Sequence, residues 1–258
     1  MLEDGNFTID AFHRGRFHLL QPAGKGHRAG LDAMLLAAAV PDGFSGLVAD
    51  LGAGAGAAGM AVASRCAEAC ILLVERSQEM VECARRSVAL PDNAAYAGRI
   101  EVLQADVEVS GRQRVQAGLA DNRFGFVIMN PPFNDPNDRA SPDSLRRDAH
   151  VMTEGLLERW IRCAAAIAAA NGGLAIIARP ESLEEILGAC SGRFGSIEIR
   201  PIHSRPRAAA IRIVLRARKG ARGLLKILPP VMLHGEEGRE FTPEANALIN
   251  GERCLFSV

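Results

Sequence analysis

An α/β fold built on a doubly wound, mostly parallel sheet of seven strands is the architecture this sequence predicts, on three observations. Strand-like and helix-like patterns alternate from about residue 46 to residue 190, as βα units do. Two half-exposed strands then follow without a helix between them, so a C-terminal antiparallel hairpin should close the sheet. With 258 residues, 48% of them hydrophobic, the chain can bury one large core. The expected class is therefore Rossmann-like.

The elements follow in order. Leu47-Val48-Ala49-Asp50-Leu51 is a short buried strand, succeeded by a Gly-rich turn and an Ala-rich helix to about Ala69. Ile71-Leu72-Leu73-Val74 is the second strand and ends at Glu75. A helix from about Gln78 to Ala89 stops at Leu90-Pro91-Asp92-Asn93, where proline and turn formers break the pattern. Ile100-Glu101-Val102-Leu103 is the third strand and 124–129 the fourth, followed by a polar, Pro/Asp-rich loop from Asn134 to about His150. The helix beginning near Thr153 sets Leu156, Trp160, Cys163, Ala164 and Ile167 at helical spacing, and Asn171-Gly172-Gly173 should cap it. Leu174-Ala175-Ile176-Ile177-Ala178 is the fifth strand, and Pro180 opens another helix. Ile197-Glu198-Ile199-Arg200 and Ile211 to Arg216 alternate apolar and basic residues, joined by a loop carrying His203, Arg205 and Arg207. Residues 1–45 read as an N-terminal extension of short strands and a first helix, and residues 46–258 as the main domain.

Formal net charge is zero, so no global field points to a polyanionic partner. The charge is unevenly spread, however. Ala11 to Leu31 holds four Lys/Arg (Arg14, Arg16, Lys25, Arg28) and no acid, and Gly192 to Lys226 holds ten against Glu198. These stretches are either solvated faces or a phosphate-binding surface. Six scattered cysteines form no zinc pattern, which predicts a reducing compartment and no metal. No basic-then-apolar leader opens the chain, and no apolar run reaches the ~18 residues of a membrane span. A soluble, cytoplasmic protein is expected.

Two constellations carry chemistry. The apolar run 124–129 stops at Asn130-Pro131-Pro132-Phe133. Prolines lack backbone donors, so this turn presents carbonyl oxygens next to an amide and a ring. Two acceptors and a flat ring suit a planar amine or amide nitrogen, whose two N–H hydrogens they can take. The second constellation is Asp50-Leu51-Gly52-Ala53-Gly54-Ala55-Gly56, between the first strand and its helix. Glycines there let a ligand approach backbone N–H groups. Glu75, 19 residues after Gly56 at the end of the second strand, can accept hydrogen bonds from both ribose hydroxyls of a nucleoside. Asp106, just past the third strand, can hold an adenine amino group. Gly54-x-Gly56-x-x-Gly59 also spells the dinucleotide fingerprint, leaving an NAD-dependent oxidoreductase as a remote alternative. S-adenosylmethionine fits better, because Asp50 suits a ligand with an ammonium group and is unhelpful beside a pyrophosphate.

With these residues the chain resembles the class I S-adenosylmethionine-dependent methyltransferases with an Asn-Pro-Pro-aromatic motif. Among them it is similar to the bacterial tRNA1(Val) adenine-N6 methyltransferase family. The resemblance runs from about Phe12 to the C-terminus. It includes a basic strand-forming opening, Arg14-Gly15-Arg16-Phe17-His18-Leu19-Leu20-Gln21-Pro22, and a helix start at Gly30-Leu31-Asp32-Ala33. Asp32 should be the N-cap of a 33–40 helix and, with Gly30, a cofactor contact. The resemblance implies methyl transfer to an exocyclic amine oriented by Asn130 and the Pro131 carbonyl, with Phe133 stacked on the base. Arg14, Arg16, Arg28, Arg205 and Arg207 would hold RNA phosphates, and Arg146, Arg147 and His150 could shape the substrate entrance.

Three departures are visible. Leu31 stands where the family often has Thr, Ala53, Ala55 and Ala57 replace hydroxyl residues of the Gly-rich loop, and Phe133 replaces Tyr. Related Asn-Pro-Pro-aromatic enzymes methylate guanine N2 in ribosomal RNA or glutamine N5 in release factors. They typically carry a further N-terminal domain, for which about 45 residues leave no room. A methyltransferase fold retained only as an RNA-binding module is the non-enzymatic alternative.

Overall fold

A computed structural model describes residues 7–23, 30–132 and 155–256. The described chain opens with an antiparallel hairpin of β1 (Phe7–Phe12) and β2 (Phe17–Pro22), in register Phe7 to Pro22. The main sheet is made by β3 (Gly46–Leu51), β4 (Ala69–Glu75), β5 (Ile100–Gln104), β6 (Phe124–Met129), β7 (Ala168–Ala178), β8 (Phe194–His203) and β9 (Ala210–Lys219). Two short strands, β10 (Lys226–Ile227) and β11 (Val231–Met232), both add to β8. The strand order is β10-β8-β9-β7-β6-β3-β4-β5, with only β9 antiparallel to its neighbours. All seven expected strands are present, and the two short additions bring the sheet to nine. The order reverses between β3 and β6, so their C-terminal ends flank a crevice, the place where open α/β sheets bind ligands.

Helices cover both faces. On one lie α1 (Leu31–Ala37), α2 (Ala57–Arg65), α3 (Gln78–Val88) and, near the C-terminus, α8 (Pro243–Ile249), burying Leu35, Leu36, Met60, Cys83 and Leu248 against Leu73, Ile128 and Val214. On the other lie α6 (Leu156–Ile167) and α7 (Leu183–Cys190), burying Leu157, Trp160, Ile161 and Ile186 against Leu51, Met129, Ile176 and Leu215. Two short helices, α4 (Ala94–Ala97) and α5 (Gly111–Gln116), complete the set. The helix assigned to the N-terminal extension is thus built into the main core, and the Ala38 carbonyl accepts from Leu255 N–H at 2.7 Å.

Three expectations are corrected. Asp32 is not a helix cap: Gly30 holds that position without a side-chain bond, and Asp32 pairs with Arg212 of β9 at 2.8 Å. The Ala-rich helix ends at Arg65, four residues early, because Cys66 turns to extended backbone while Arg65 donates to the Ala37 and Val40 carbonyls. Asn171-Gly172-Gly173 does not cap the preceding helix but lies inside β7. The β6–β7 register shifts between Phe124 and Phe126, and a methyl group at residue 173 would overlap the Phe126 ring. Glycine is there for that ring, a contact between distant strands that spacing along the chain does not reveal.

Candidate active site

The C-terminal ends of β3, β4 and β6 bring the predicted residues together. Leu51 pairs with Met129 in register, so the next residues of these parallel strands, Gly52 and Asn130, leave the sheet side by side. Gly52, Gly54 and Gly56 all have positive φ (71°, 56° and 96°), which carries the chain through a turn that side chains resist. Gly56 is the N-cap of α2. Asp50 is buried, and one of its oxygens accepts from Gly59 N–H at 2.8 Å. Burial pushes its carboxyl from 3.8 up to about 7, against the pull of the Gly59 N–H and with a further push from Glu75. A cation beside this carboxylate would restore its charge, and the ammonium of an amino-acid moiety meets that need.

Glu75 is held in place by the backbone. One oxygen accepts from Gly54 N–H at 2.9 Å and the other from Ser77 N–H at 2.8 Å. Each carboxylate oxygen has a further lone pair, so two ribose hydroxyls can still be accommodated. Asp106 is half-buried, with one oxygen accepting from Glu108 N–H at 2.8 Å. These residues fit a nucleoside carrying an amino acid, with Asp50 for the ammonium, Glu75 for the ribose and Asp106 for the base.

Asn130 carries the sharpest signal. Its side-chain carbonyl oxygen is buried and, among the described residues, has no hydrogen-bond partner. An orphaned buried acceptor costs about 1–3 kcal/mol, a cost that a ligand's donor at this position would remove. Pro131 is buried and Pro132 half-buried beside it. Phe133, Arg28, Arg146, Arg147 and His150 lie outside the described residues.

Trp160 was legible in the sequence only as a core position. In the fold its ring lies on Gly52, where a methyl group would overlap it, and its indole N–H is also buried without a partner. It thereby fixes the first residue of the loop. Met80 adds to the loop from α3, its terminal methyl 3.6 Å from where a side chain on Gly54 would begin. Contacts this distant in sequence leave no motif.

The basic residues divide. The turn between β8 and β9 lies at the same sheet edge as Asn130, because β8 runs parallel to β6 through the β7–β9–β8 pairings. Arg205 there is bound to its own surroundings, donating to the Gly235, Glu236 and Gly238 carbonyls at 2.8, 3.1 and 2.5 Å. That network anchors its guanidinium to the loop at 235–238. Arg207 is 92% exposed and reaches Glu236 at 3.8 Å, a weak pair that leaves it available. In the first hairpin, Arg14 pairs with Glu252 at 3.1 Å, and Arg16 donates to the carbonyls of His13 and Asn250. Both are therefore tied to the end of α8.

Comparison with known proteins adds identity to this geometry. Residues 28–191 match the model of the family described as methyltransferase small domain. The chain is similar to tRNA1(Val) (adenine(37)-N6)-methyltransferases: 27% identical to that of Porphyromonas gingivalis over 80% of this chain and 79% of the relative, and 28% identical to that of Cronobacter sakazakii over 65% of this chain. The Cronobacter match spans 64% of that enzyme's length. A crystal structure from Agrobacterium tumefaciens, described as a predicted O-methyltransferase, is 48% identical, with a TM-score of 0.76 over 86% of this chain and 97% of the other. Among the described residues no helix is long and apolar enough to cross a membrane. The chain belongs to the methyltransferase small domain family and is an S-adenosylmethionine-dependent methyltransferase.

Proposed function

We propose that the enzyme methylates an exocyclic amino nitrogen of a nucleic-acid base, specifically adenine N6 in tRNA next to the anticodon. The observation that carries this reading is the orphaned carbonyl oxygen of Asn130, set beside Gly52 at the crevice. The names of the Porphyromonas and Cronobacter relatives support adenine in tRNA. S-adenosylmethionine supplies an electrophilic methyl group on a sulfonium. Asp50 binds and charge-balances its ammonium, Glu75 accepts from the ribose, and Asp106 accepts from the adenine amine. Asn130 Oδ1 and the Pro131 carbonyl accept the two hydrogens of the substrate amine, turning its lone pair out of conjugation and toward the methyl carbon. Phe133 stacks on the base that has left its helix. As the N–C bond forms the sulfonium becomes a thioether, and the acidified nitrogen then loses its proton without a strong base. The protein's contribution is orientation.

An oxygen acceptor, the chemistry named for the Agrobacterium structure, fits this turn less well. A hydroxyl has one hydrogen for two acceptors, and it needs a base to remove that hydrogen early. The test is tritium-methyl transfer onto fractionated RNA with nucleoside analysis of the product. N6-methyladenosine in the tRNA fraction is expected. N2-methylguanosine, a ribose O-methyl product or label found only in protein would each overturn the adenine assignment.

A further inference from the structure

The ten cations of residues 192–226 are mostly engaged within the fold. Arg193, Arg200, Arg212 and Arg216 pair with acids, Arg205 and Lys219 bind carbonyl oxygens, and Arg207 lies near Glu236. Arg218, Arg222 and Lys226 are exposed and, among the described residues, their side chains have neither an ion pair nor a hydrogen bond. These three lie at the N-terminal edge of the sheet, the end opposite Asn130. Arg218 sits late in β9, facing Gly173 and Gly195 in register, and Lys226 opens β10.

A cavity of about 570 Å³ lies at this edge, within the size range of small-molecule sites. Phe44 and Phe126 line it, packed edge to face at 5.8 Å, as do Arg218, Lys226, Ser196 and Asn171. Phe126 is opposite Gly173, which is opposite Arg218, so the backbones of Phe126 and Arg218 stand two strands apart, roughly 10 Å. Gly173 between them carries no side chain, and the Phe126 ring lies over it. Arg216 also lines the cavity but is neutralised by Glu198 at 2.7 Å and lies 4.4 Å from the centre of the Phe256 ring.

The segment carrying Arg222 and Lys226 is stitched down. Gly220 N–H donates to the Arg193 carbonyl at 2.9 Å, Ser196 N–H to the Gly223 carbonyl at 3.3 Å, and Leu228 N–H to the Ile199 carbonyl at 2.8 Å. The unpaired cations are therefore held ready beside an aromatic wall. An aromatic face at one end and an Arg–Lys pair at the other match a planar base joined to a phosphate.

We propose that this cavity is a second binding site, for a nucleoside phosphate, with the base against the half-buried Phe44 ring, which is backed by the buried Phe126, and the phosphate between Arg218 and Lys226. A free nucleotide and a nucleotide within an RNA strand share that chemistry. The site is separate from the methyl-transfer centre by the length of a six-residue strand, roughly 20 Å, and is independent of the methyl acceptor.

The test uses the full chain with its cofactor site filled by saturating S-adenosylmethionine. Uridine monophosphate, inorganic phosphate and an oligouridylate are titrated, none of which carries an exocyclic amine. The nucleotide or the oligonucleotide should bind at least tenfold more tightly than inorganic phosphate. The double variant Arg218→Glu/Lys226→Glu should weaken that binding at least tenfold. Phe44→Leu, which keeps the apolar packing and removes the ring face, should weaken it several-fold. S-adenosylmethionine affinity, followed by the fluorescence of Trp160, should stay unchanged and report an intact fold. Binding of the mononucleotide assigns a free nucleotide, and binding of the oligonucleotide only assigns an RNA strand. Wild-type chain that binds neither probe overturns the site. So does a Phe44→Leu or charge variant that binds as wild type.

Discussion

The two edges of the main sheet handle polar groups in opposite ways. At the C-terminal edge the groups are buried or half-buried acceptors, two of them fixed by backbone N–H groups. Asp50 holds one N–H, Glu75 holds two, and Asn130 Oδ1 holds none. At the N-terminal edge the side chains of Arg218, Arg222 and Lys226 are exposed donors with no partner among the described residues. The difference lies in what each arrangement costs. A buried acceptor without a donor destabilises the fold by about 1–3 kcal/mol and persists where a ligand completes it. An exposed cation costs little and acts mainly by attraction at a distance. The first arrangement suits the proposed methyl transfer, and the second suits the proposed capture of a phosphate.

The largest expected effect tests the first edge. Asn130→Ala should lower the rate of methyl transfer ~10²–10³-fold with cofactor affinity nearly unchanged, as losing a preorganised hydrogen bond does. A variant retaining more than a third of wild-type turnover would remove Asn130 from the mechanism.

Glu75→Ala should weaken S-adenosylmethionine binding by ~2–3 kcal/mol, because two hydroxyls lose a charged acceptor and the Gly54 and Ser77 N–H groups lose theirs. The chain's single tryptophan, Trp160, lies on Gly52 and gives a direct titration signal. Unchanged affinity would make Glu75 a loop anchor only.

Asp50 links the edge to pH. Its carboxyl rises from 3.8 to about 7 in the folded chain, so the folded state holds a proton that the unfolded state has already released. Its contribution to stability is present below about pH 4 and is lost as pH rises to about 7. An ammonium needs the ionised form, so S-adenosylmethionine affinity should rise up to tenfold per pH unit from pH 6 to 7 and level off above. Asp50→Asn should be weaker throughout and flat over that range. A wild-type profile without slope would show that Asp50 does not meet the ammonium.

The smallest effect separates neighbouring arginines. Arg207→Glu should flatten the log–log salt dependence of RNA binding by at most roughly 0.7–0.9 and leave the melting temperature unchanged. Arg205→Glu should lower the melting temperature too, since three carbonyls lose their donor. Equal melting temperatures for the two variants would show that the Arg205 network is dispensable.

The sequence by itself determined the seven main strands, their order of appearance and the turn residues at their ends. Period-two and apolar patterns, glycine and proline are local signals, and Asp50, Gly52, Glu75, Asp106 and Asn130 each sit where such a pattern stops. Tertiary structure decided which of the charges are free. Arg205 and Arg218 look alike along the chain, yet one guanidinium is bound by a loop some thirty residues away and the other, among the described residues, by no side chain or carbonyl. It also decided the places of Gly173 and Trp160, the one making room for Phe126 and the other lying on Gly52. These outcomes depend on contacts between residues far apart in sequence. A pattern read along one strand or helix contains its own period but not the identity of what will pack against it.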